Sequence, residues 1–414
     1  MKDHRVVLLA AAIYFGINTV MFSVLPLYVL KVSGDEFLVG LTIAIPYMLA
    51  VPMSFIWGAL SDKIGSRRKV LAAGGLIGAL FFFAFPFLDL PWLLALRCVQ
   101  AAALSSYVLL YALMTEFMPK KKGRSVGALS LVGGCGAAVG ATTAGLLLPM
   151  KYLTLGSWQV TLFFFACGAL MMVYAGLLVR VKEPKKEGGG QTAGKDGPEE
   201  KGEERDGGRR TAGRLLGGLL ARSGKDLRHI ALLGLIGFLV NLAILIILGT
   251  FPAYLAELTD PRDTAWVTGV IYASSSLTGI VAAYLAGQAS DRVGRRWILI
   301  GSAVWYVSVW AFMGATTNLF LLGVLWAMPV WQFYYVSITA KVADMTGEKQ
   351  RGGGIGFLNS AMNLGAFLGS LASGFLLASG RPDLIFLGAT VISIAAALLC
   401  FASRETLPGL RKGA

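Results

Sequence analysis

The chain has 414 residues, of which 56% are hydrophobic and 14% are charged. A soluble globular protein carries roughly a quarter charged residues, so this composition excludes one and predicts an integral membrane protein. The net charge of +14 does not indicate a nucleic-acid partner. All but five of the 37 Lys and Arg fall in segments that we assign to one side of the membrane. The positive-inside rule makes that side cytoplasmic.

Twelve long apolar segments follow one another along the chain. They are continuous rather than alternating, so they favour helices over a β-barrel. Each is near the roughly 20 residues that a bilayer requires. We therefore expect an all-α membrane protein with twelve transmembrane helices, in the cell (plasma) membrane, with both termini cytoplasmic and in contact with anionic lipid. The predicted spans are 6–30, 37–60, 69–88, 91–117, 125–149, 158–181, 230–256, 265–286, 297–315, 318–343, 353–378 and 384–403.

A basic turn at 58–68, between spans 2 and 3, recurs at 287–296, between spans 8 and 9. Both copies carry Gly, Asp, Gly and Arg at matching positions, and Asp62 stands 229 positions before Asp291. A polar turn rich in Arg cannot lie in the bilayer, so each copy is expected as a loop on the cytoplasmic face. Its recurrence predicts two similar halves.

The repeat extends into the spans. Six spans lie in each half, so both halves have the same orientation and an axis along the membrane normal relates them. The segment 183–229 is rich in Gly, Lys, Glu and Arg, which predicts a flexible cytoplasmic linker between residues 1–182 and 230–414. The repeated glycine pairs, each 229 positions apart, are Gly40 and Gly269, Gly136 and Gly365, Gly140 and Gly369, and Gly145 and Gly374.

The chain resembles the major facilitator superfamily over nearly its whole length, in particular the drug/proton antiporter-like branch. The paired turns resemble that family's signature Gly-x-x-x-Asp-Arg/Lys-x-Gly-Arg-Arg, although the first has Ser66 where Arg is common. The resemblance implies a conformational switch at Asp62, whose carboxylate can cap a neighbouring helix and pair with Arg. A static helix cap is the alternative, and for Asp291 the two interpretations are equal. The proposed switch residues are Gly58, Asp62, Gly65, Arg68, Gly287, Asp291, Gly294 and Arg296.

Arg97 is a charged residue away from the ends of its predicted span, about six residues into the fourth. A buried Arg is costly, so it should face a cavity or a partner. The pattern Leu-x-x-x-Arg-x-x-Gln at 93–100 resembles the fourth-span motif of proton-linked facilitators, which implies a role in proton coupling. Snorkelling of the side chain towards the outer face is the alternative.

The fifth span resembles the antiporter motif Gly-x-x-x-Gly-Pro-x-x-Gly-Gly at 136–145. Ala141 replaces its Pro and Ala144 one of its Gly, and small-residue packing alone explains the stretch equally well. Antiport therefore stays open at this point.

No Asp or Glu lies near the middle of any predicted span, which disfavours a dedicated organic-cation exporter. In-span amides need partners, and Pro329 predicts a kinked tenth helix whose aromatics reach a central cavity. For each aromatic residue alone, helix packing is the competing explanation. The candidate substrate-binding residues are Tyr14, Asn18, Tyr107, Tyr111, Asn241, Trp326, Trp331, Gln332, Tyr335, Asn359 and Asn363.

The sequence contains no nucleotide-binding Gly-Lys-Ser/Thr motif and no nucleophile–base pairing, and its four cysteines show no paired spacing. We therefore expect no enzyme, no cofactor, no metal site and no ATP-driven pump. The favoured function is a monomeric secondary transporter that exports small amphipathic compounds by alternating access, with proton coupling. A carrier for sugars, metabolites or organic anions, which need not be coupled, and a non-transporting membrane sensor are the alternatives.

Overall fold

The computed structural model describes residues 3–117, 122–148, 153–154, 156–183, 224–346, 351–380 and 383–406. Within them twelve helices are long and apolar enough to cross a membrane, which confirms the predicted fold class of a multi-pass helical protein. Spans 4 and 10 are each interrupted. Spans 1 to 12 are Asp3–Ser33, Glu36–Ile64, Arg67–Ala84, Leu90–Leu104 with Val108–Phe117, Lys122–Leu147, Trp158–Arg180, Gly224–Leu258, Thr264–Val293, Arg295–Gly314, Leu319–Ala327 with Val330–Met345, Arg351–Ala378 and Asp383–Phe401.

Spans 1 to 6 and spans 7 to 12 pack around two apolar cores, one mainly in each half of the chain; Ala138 and Ala141 of span 5 join the second core. Burial of large side chains such as Phe82 and Phe164 in one core and Tyr334 in the other stabilises each half as a unit. Most of the predicted linker, at 184–223, lies outside the described residues. Its last six residues belong to the helix of span 7, which begins at Gly224, ahead of the apolar block.

The paired basic turns contain more helix than the sequence predicts. Span 2 continues through Asp62 to Ile64, and span 8 continues through Asp291 to Val293. The loops shrink to Gly65-Ser66 and Gly294 because a helix that leaves the membrane still satisfies its own backbone hydrogen bonds. Gly65 ends span 2 with φ 68°, a conformation that glycine adopts without strain, and its N–H donates to the Ser61 carbonyl at 3.0 Å.

Within each half, the repeated glycines bring the fifth span of the half against its first span. A Cβ added at any of them would come within 2.4 Å of a backbone carbonyl oxygen. A side chain cannot be accommodated at such a distance, so these positions require glycine. The contacts are Gly136 on Ala12, Gly140 on Gly16, Gly365 on Phe238 and Gly369 on Leu242.

Between the halves, the other repeated glycines form two crossings. Gly40 of span 2 lies against Gly374 of span 11, and Gly269 of span 8 lies against Gly145 of span 5. A Cβ at Gly40 would stand 2.5 Å from the Ser370 carbonyl oxygen. The repeat relates position 40 to 269 and position 374 to 145, so the two crossings are equivalent. They lie at the end of the molecule opposite the basic turns, which we call the closed end; the end with the turns is the basic end.

Candidate functional site: a central cavity and its two ends

A cavity of about 840 Å³ lies between the two halves. On one side it is covered by an apolar layer of Ile43, Leu245 and Ala366, beyond which lie the glycine crossings of the closed end. Its lining on span 2 runs from 47 to 55 and on span 11 from 356 to 363, and both stretches lead towards the basic end. Phe55 is 55% exposed. The cavity is therefore closed at one end and opens towards the other.

Most of the predicted substrate-binding residues lie in the wall of this cavity. Those that do not are Tyr14 and Asn18, both on span 1. Tyr14 is buried behind the wall, where its ring stacks on Tyr107 at 5.4 Å, and Asn18 is half-buried. Substrate contact remains a prediction for every member of the set. Those in the wall are Tyr107, Tyr111, Asn241, Trp326, Trp331, Gln332, Tyr335, Asn359 and Asn363.

The predicted kink in span 10 is a complete break at Met328-Pro329. Met328 is extended, with ψ 122°, as the residue before a proline tends to be. The break leaves the Ala327 carbonyl without a helical donor, and the Thr278 hydroxyl of span 8 donates to it at 2.6 Å. Trp326 and Trp331 stand on either side of the break and both face the cavity.

Span 4 is also interrupted, by a short 3₁₀ turn at Ser105–Tyr107. The Trp57 indole of span 2 donates to the Ala102 carbonyl at 2.7 Å, and the Tyr14 hydroxyl donates to the Leu104 carbonyl at 3.1 Å. Spans 2 and 8 are repeat equivalents, so each broken span is supported by the same neighbour in its own half. The break turns Tyr107 into the wall.

The wall of the cavity carries no charged side chain among the described residues. It is built from aromatic rings, hydroxyls and amides. The Asn241 amide donates to the Gly237 carbonyl and the Asn363 amide to the Asn359 carbonyl, each at 2.9 Å. Tyr47, Tyr306 and Trp310 also line the cavity and were not predicted. No pattern in the sequence separates these three from aromatics that merely pack between helices.

Arg97 lies inside the N-terminal half and is 4% exposed, so it does not snorkel to a membrane surface. Its Nη1 donates to Gln100 Oε1 at 2.6 Å. Arg97 Nε and Gln100 Nε2 are buried without a hydrogen-bond partner in the described part of the chain. Tyr14 and Tyr47 are within electrostatic range of the guanidinium, and Tyr47 belongs to the cavity wall. Arg97 itself is not part of the cavity wall.

The proposed switch residues are at the basic end. Asp62 is exposed and has no hydrogen bond or ion pair with any described residue. Asp291 is 3.7 Å from Arg295, with its side chain 70% exposed. A Cβ at Gly58 or Gly287 would meet nothing within 4 Å. In this conformation none of these residues joins the two halves, so a latch between the halves remains a prediction.

Arg68 and Arg296, by contrast, are each anchored within their own half. The Arg68 backbone N–H donates to Glu183, and its guanidinium donates to the Val179 carbonyl at 3.0 Å. The Arg296 N–H donates to Glu405 at 3.0 Å, and its guanidinium donates to the Phe401 carbonyl at 3.0 Å. Each arginine therefore ties the turn to the end of the last span of its half.

The preceding arginine of each turn also forms an ion pair within its half: Arg67 with Glu116 at 3.1 Å, and Arg295 with Asp344. Sequence reasoning missed Glu183 and Glu405. A signal for them exists, because each is the first acidic residue after the last span of its half.

Comparisons with known proteins agree with this architecture. Curated relatives include multidrug resistance protein 2 of Bacillus subtilis (strain 168), 26% identical over 172 residues, covering 41% of this chain and 42% of the relative. Multidrug resistance protein MdtG of Proteus mirabilis (strain HI4320) is 29% identical over 182 residues, covering 43% and 45%. The chain thus matches less than half the length of these relatives.

Two solved structures share the fold at 14% identity. The nucleoside transporter NupG has a TM-score of 0.76 over 97% of this chain and 99% of its own. A D-xylose-proton symporter has a TM-score of 0.73 over 97% and 98%. The model of the Major Facilitator Superfamily matches residues 7–259 and 233–413. The chain therefore belongs to the Major Facilitator Superfamily, whose fold is that of membrane transporters and not of enzymes.

Proposed function

We propose that this chain is a secondary transporter of the cell membrane that exports small amphipathic compounds by alternating access, with proton coupling. The observation that carries the proposal is the cavity between two repeat-related halves, closed at one end and open towards the other. The basic end is cytoplasmic by the positive-inside rule, so the conformation described here faces inward. A substrate enters such a cavity from the cytoplasm.

The chemistry of the wall supports the substrate class. Aromatic rings present flat apolar faces, and amides and hydroxyls provide donors and acceptors without fixed charge. A wall of this kind suits neutral amphipathic molecules, because it offers an ionised group no counter-charge. The relatives named multidrug resistance proteins support export of this class.

Proton coupling is assigned to Arg97. No described carboxylate lines the cavity, so a transported proton has no acidic side chain there on which to reside. Arg97 is a buried cation whose Nε has no partner among the described residues, and Tyr47 of the cavity wall is within electrostatic range of it. A change in water access or in phenol contact during the transition alters the electrostatic free energy of this cation.

A carrier for sugars or other polar metabolites is the second candidate. Amides such as Asn241, Asn359 and Asn363 are suited to hydroxyl-rich ligands. Proteins of the same fold include a nucleoside transporter and a D-xylose-proton symporter. The two candidates differ in whether flux requires an apolar substrate surface or a set of hydroxyls.

The test is flux in proteoliposomes with and without an imposed pH gradient, against a panel of amphipathic dyes, nucleosides, sugars and organic anions. We expect dye transport that responds to the gradient. Transport of sugars or nucleosides without dyes would establish the second candidate, and no transport of any compound would contradict both.

Arg97→Gln tests the coupling. We expect dye flux to lose its dependence on the gradient, because the buried positive charge is removed while Gln100 keeps a neighbour of similar polarity. Arg180→Gln, at the exposed end of span 6, is the matched control and should behave as the wild type. Unchanged gradient dependence in Arg97→Gln would refute coupling through this residue.

A further inference from the structure

A second, polar cavity lies at the basic end of the C-terminal half, separate from the central one. It has a volume of about 610 Å³ and is formed by the ends of spans 7, 9 and 10 and by the segment after span 12. Its wall includes Arg296, Lys341, Ser403 and Arg404. Nothing in the transport scheme above uses this cavity.

Lys341 is the unusual residue of this cavity. It is 1% exposed, and in the described part of the chain its ammonium makes one hydrogen bond, to the Ser403 hydroxyl at 2.8 Å. That hydroxyl in turn donates a hydrogen bond to the Cys400 carbonyl at 2.6 Å. An ammonium has three N–H donors, so two of them have no acceptor among the described residues. A buried cation without a contacting carboxylate is costly.

The acidic groups of the cavity are already engaged elsewhere. The Asp344 carboxylate accepts from Arg295 and, at 2.9 Å, from the Thr406 hydroxyl. Glu405 accepts from the backbone N–H groups of Arg296 and Thr406, at 3.0 and 2.8 Å. Glu405 acts on Lys341 through space, and the ion pairs found among the described residues do not include Lys341. The positive charge of Lys341 is therefore left facing the cavity.

The repeat shows that the fold does not require this charge. Arg67 pairs with Glu116 as Arg295 pairs with Asp344, which aligns Lys341 with Leu113 of the N-terminal half. Leu113 is fully buried in the apolar core of that half. An apolar leucine is therefore sufficient for packing at this position of the fold. The lysine adds a buried positive charge that the N-terminal half lacks at the equivalent position.

We propose that the Lys341 cavity binds a phosphate group, with Lys341 and Ser403 at its base and Arg404 at its rim. Phosphate oxygens can accept hydrogen bonds from the remaining N–H groups of the ammonium and compensate its buried charge. The exposed guanidinium of Arg404 matches a phosphate in a bidentate manner. The cavity opens at the basic end, where both inner-leaflet phospholipid headgroups and free phosphate are within reach, and either supplies this chemistry.

The experiment uses the full chain in nanodiscs of phosphatidylcholine, at constant ionic strength, with inorganic phosphate titrated against thermal unfolding. We expect a saturable rise in Tm for the wild type. In Lys341→Gln the apparent Kd should weaken about tenfold or more, since a charge-assisted contact is lost. Lys182→Gln, an exposed lysine at the basic end of the other half, makes the same change in net charge and should respond as the wild type.

The second arm measures phosphatidylglycerol retained by the purified protein, by native mass spectrometry, for the same variants. Stabilisation by inorganic phosphate identifies a free anion as ligand, and retention of phosphatidylglycerol that depends on Lys341 identifies the lipid headgroup; each supports the site. Arg404→Gln leaves the buried residues intact and should weaken the same signal. Equal responses of wild type and both cavity variants, or no response to either ligand in the wild type, would overturn the proposal.

Discussion

At the closed end the two halves meet through their backbones. Gly40 lies on Gly374 and Gly145 on Gly269, and the Phe37 and Phe375 rings lie 4.5 Å apart. At the basic end the halves carry arginines, carboxylates and a buried lysine, all bound within their own half. Among the described residues, no hydrogen bond or ion pair joins the halves at either end.

This difference between the two ends suits a molecule whose central cavity opens alternately to the two sides of the membrane. Contacts between glycines depend steeply on distance but leave no charge unpaired when they separate. Charge clusters kept inside each half stiffen it and need not be broken when the halves rock. We therefore predict that the closed end acts as a dry gate in alternating access and that the clusters at the basic end act as internal braces of the two halves.

The strongest test of the gate is a side chain at its centre. Gly40→Leu and its repeat equivalent Gly269→Leu place a bulky group against backbone, at a cost of about 1–3 kcal/mol from overpacking. We expect flux to fall at least tenfold. In a Gly40→Leu protein that also carries Phe37→Cys and Phe375→Cys, the disulfide across the closed end should form poorly, because the halves are held apart there. Gly301→Leu, where an added Cβ meets nothing within 4 Å, is the control. Normal flux and normal cross-linking in the Gly40 variant would mean that the crossing is not the gate.

The braces should give a smaller effect that is equal in the two halves. Glu183→Gln and Glu405→Gln each weaken a charge-assisted acceptor of an arginine N–H, so each should lower unfolding stability by about 1 kcal/mol. Because the two sites lie in different halves, the loss of stability in the double variant, followed by Tm, should equal the sum of the losses in the single variants. The exposed Asp263→Asn serves as control. Strong non-additivity would show that the clusters communicate across the halves.

The smallest effect on this conformation is expected at the acidic residues of the turns. Asp62 has no partner among the described residues, so Asp62→Asn should leave Tm unchanged here. If Asp62 stabilises the opposite conformation, in which the basic end is closed, the variant should show a lower flux in proteoliposomes and an unchanged Tm. Asp291→Asn, with a long exposed pair to Arg295, should change flux less. Normal flux in Asp62→Asn would contradict the latch and would leave Asp62 with only a static role, as a charge near a helix end that helps to set the membrane topology.

The sequence predicted the number of spans and the equivalence of the halves. Long apolar blocks and positive charges are local properties, and membrane insertion reads them directly. The glycine pairs at 229-residue spacing were also visible, but their partners were not. That Gly40 meets Gly374 and not another glycine depends on how two rigid bundles dock, which no local pattern encodes.

The candidate site also has features that local sequence patterns predict and features that they do not. Pro329 marked the break in span 10 because proline removes a donor and restricts the residue before it, both of which are local effects. Tyr47, Tyr306 and Trp310 were missed because an aromatic in a span has the same sequence signature whether it faces a cavity or a helix. Composition, positive charge and the 229-residue spacing were enough to predict the class of the protein, its duplication and the end that carries the positive charge. The docking of the helices decides which end is closed, which side chains share the cavity, and that Lys341 is buried with no contacting carboxylate among the described residues, because these depend on distances between residues far apart in the chain.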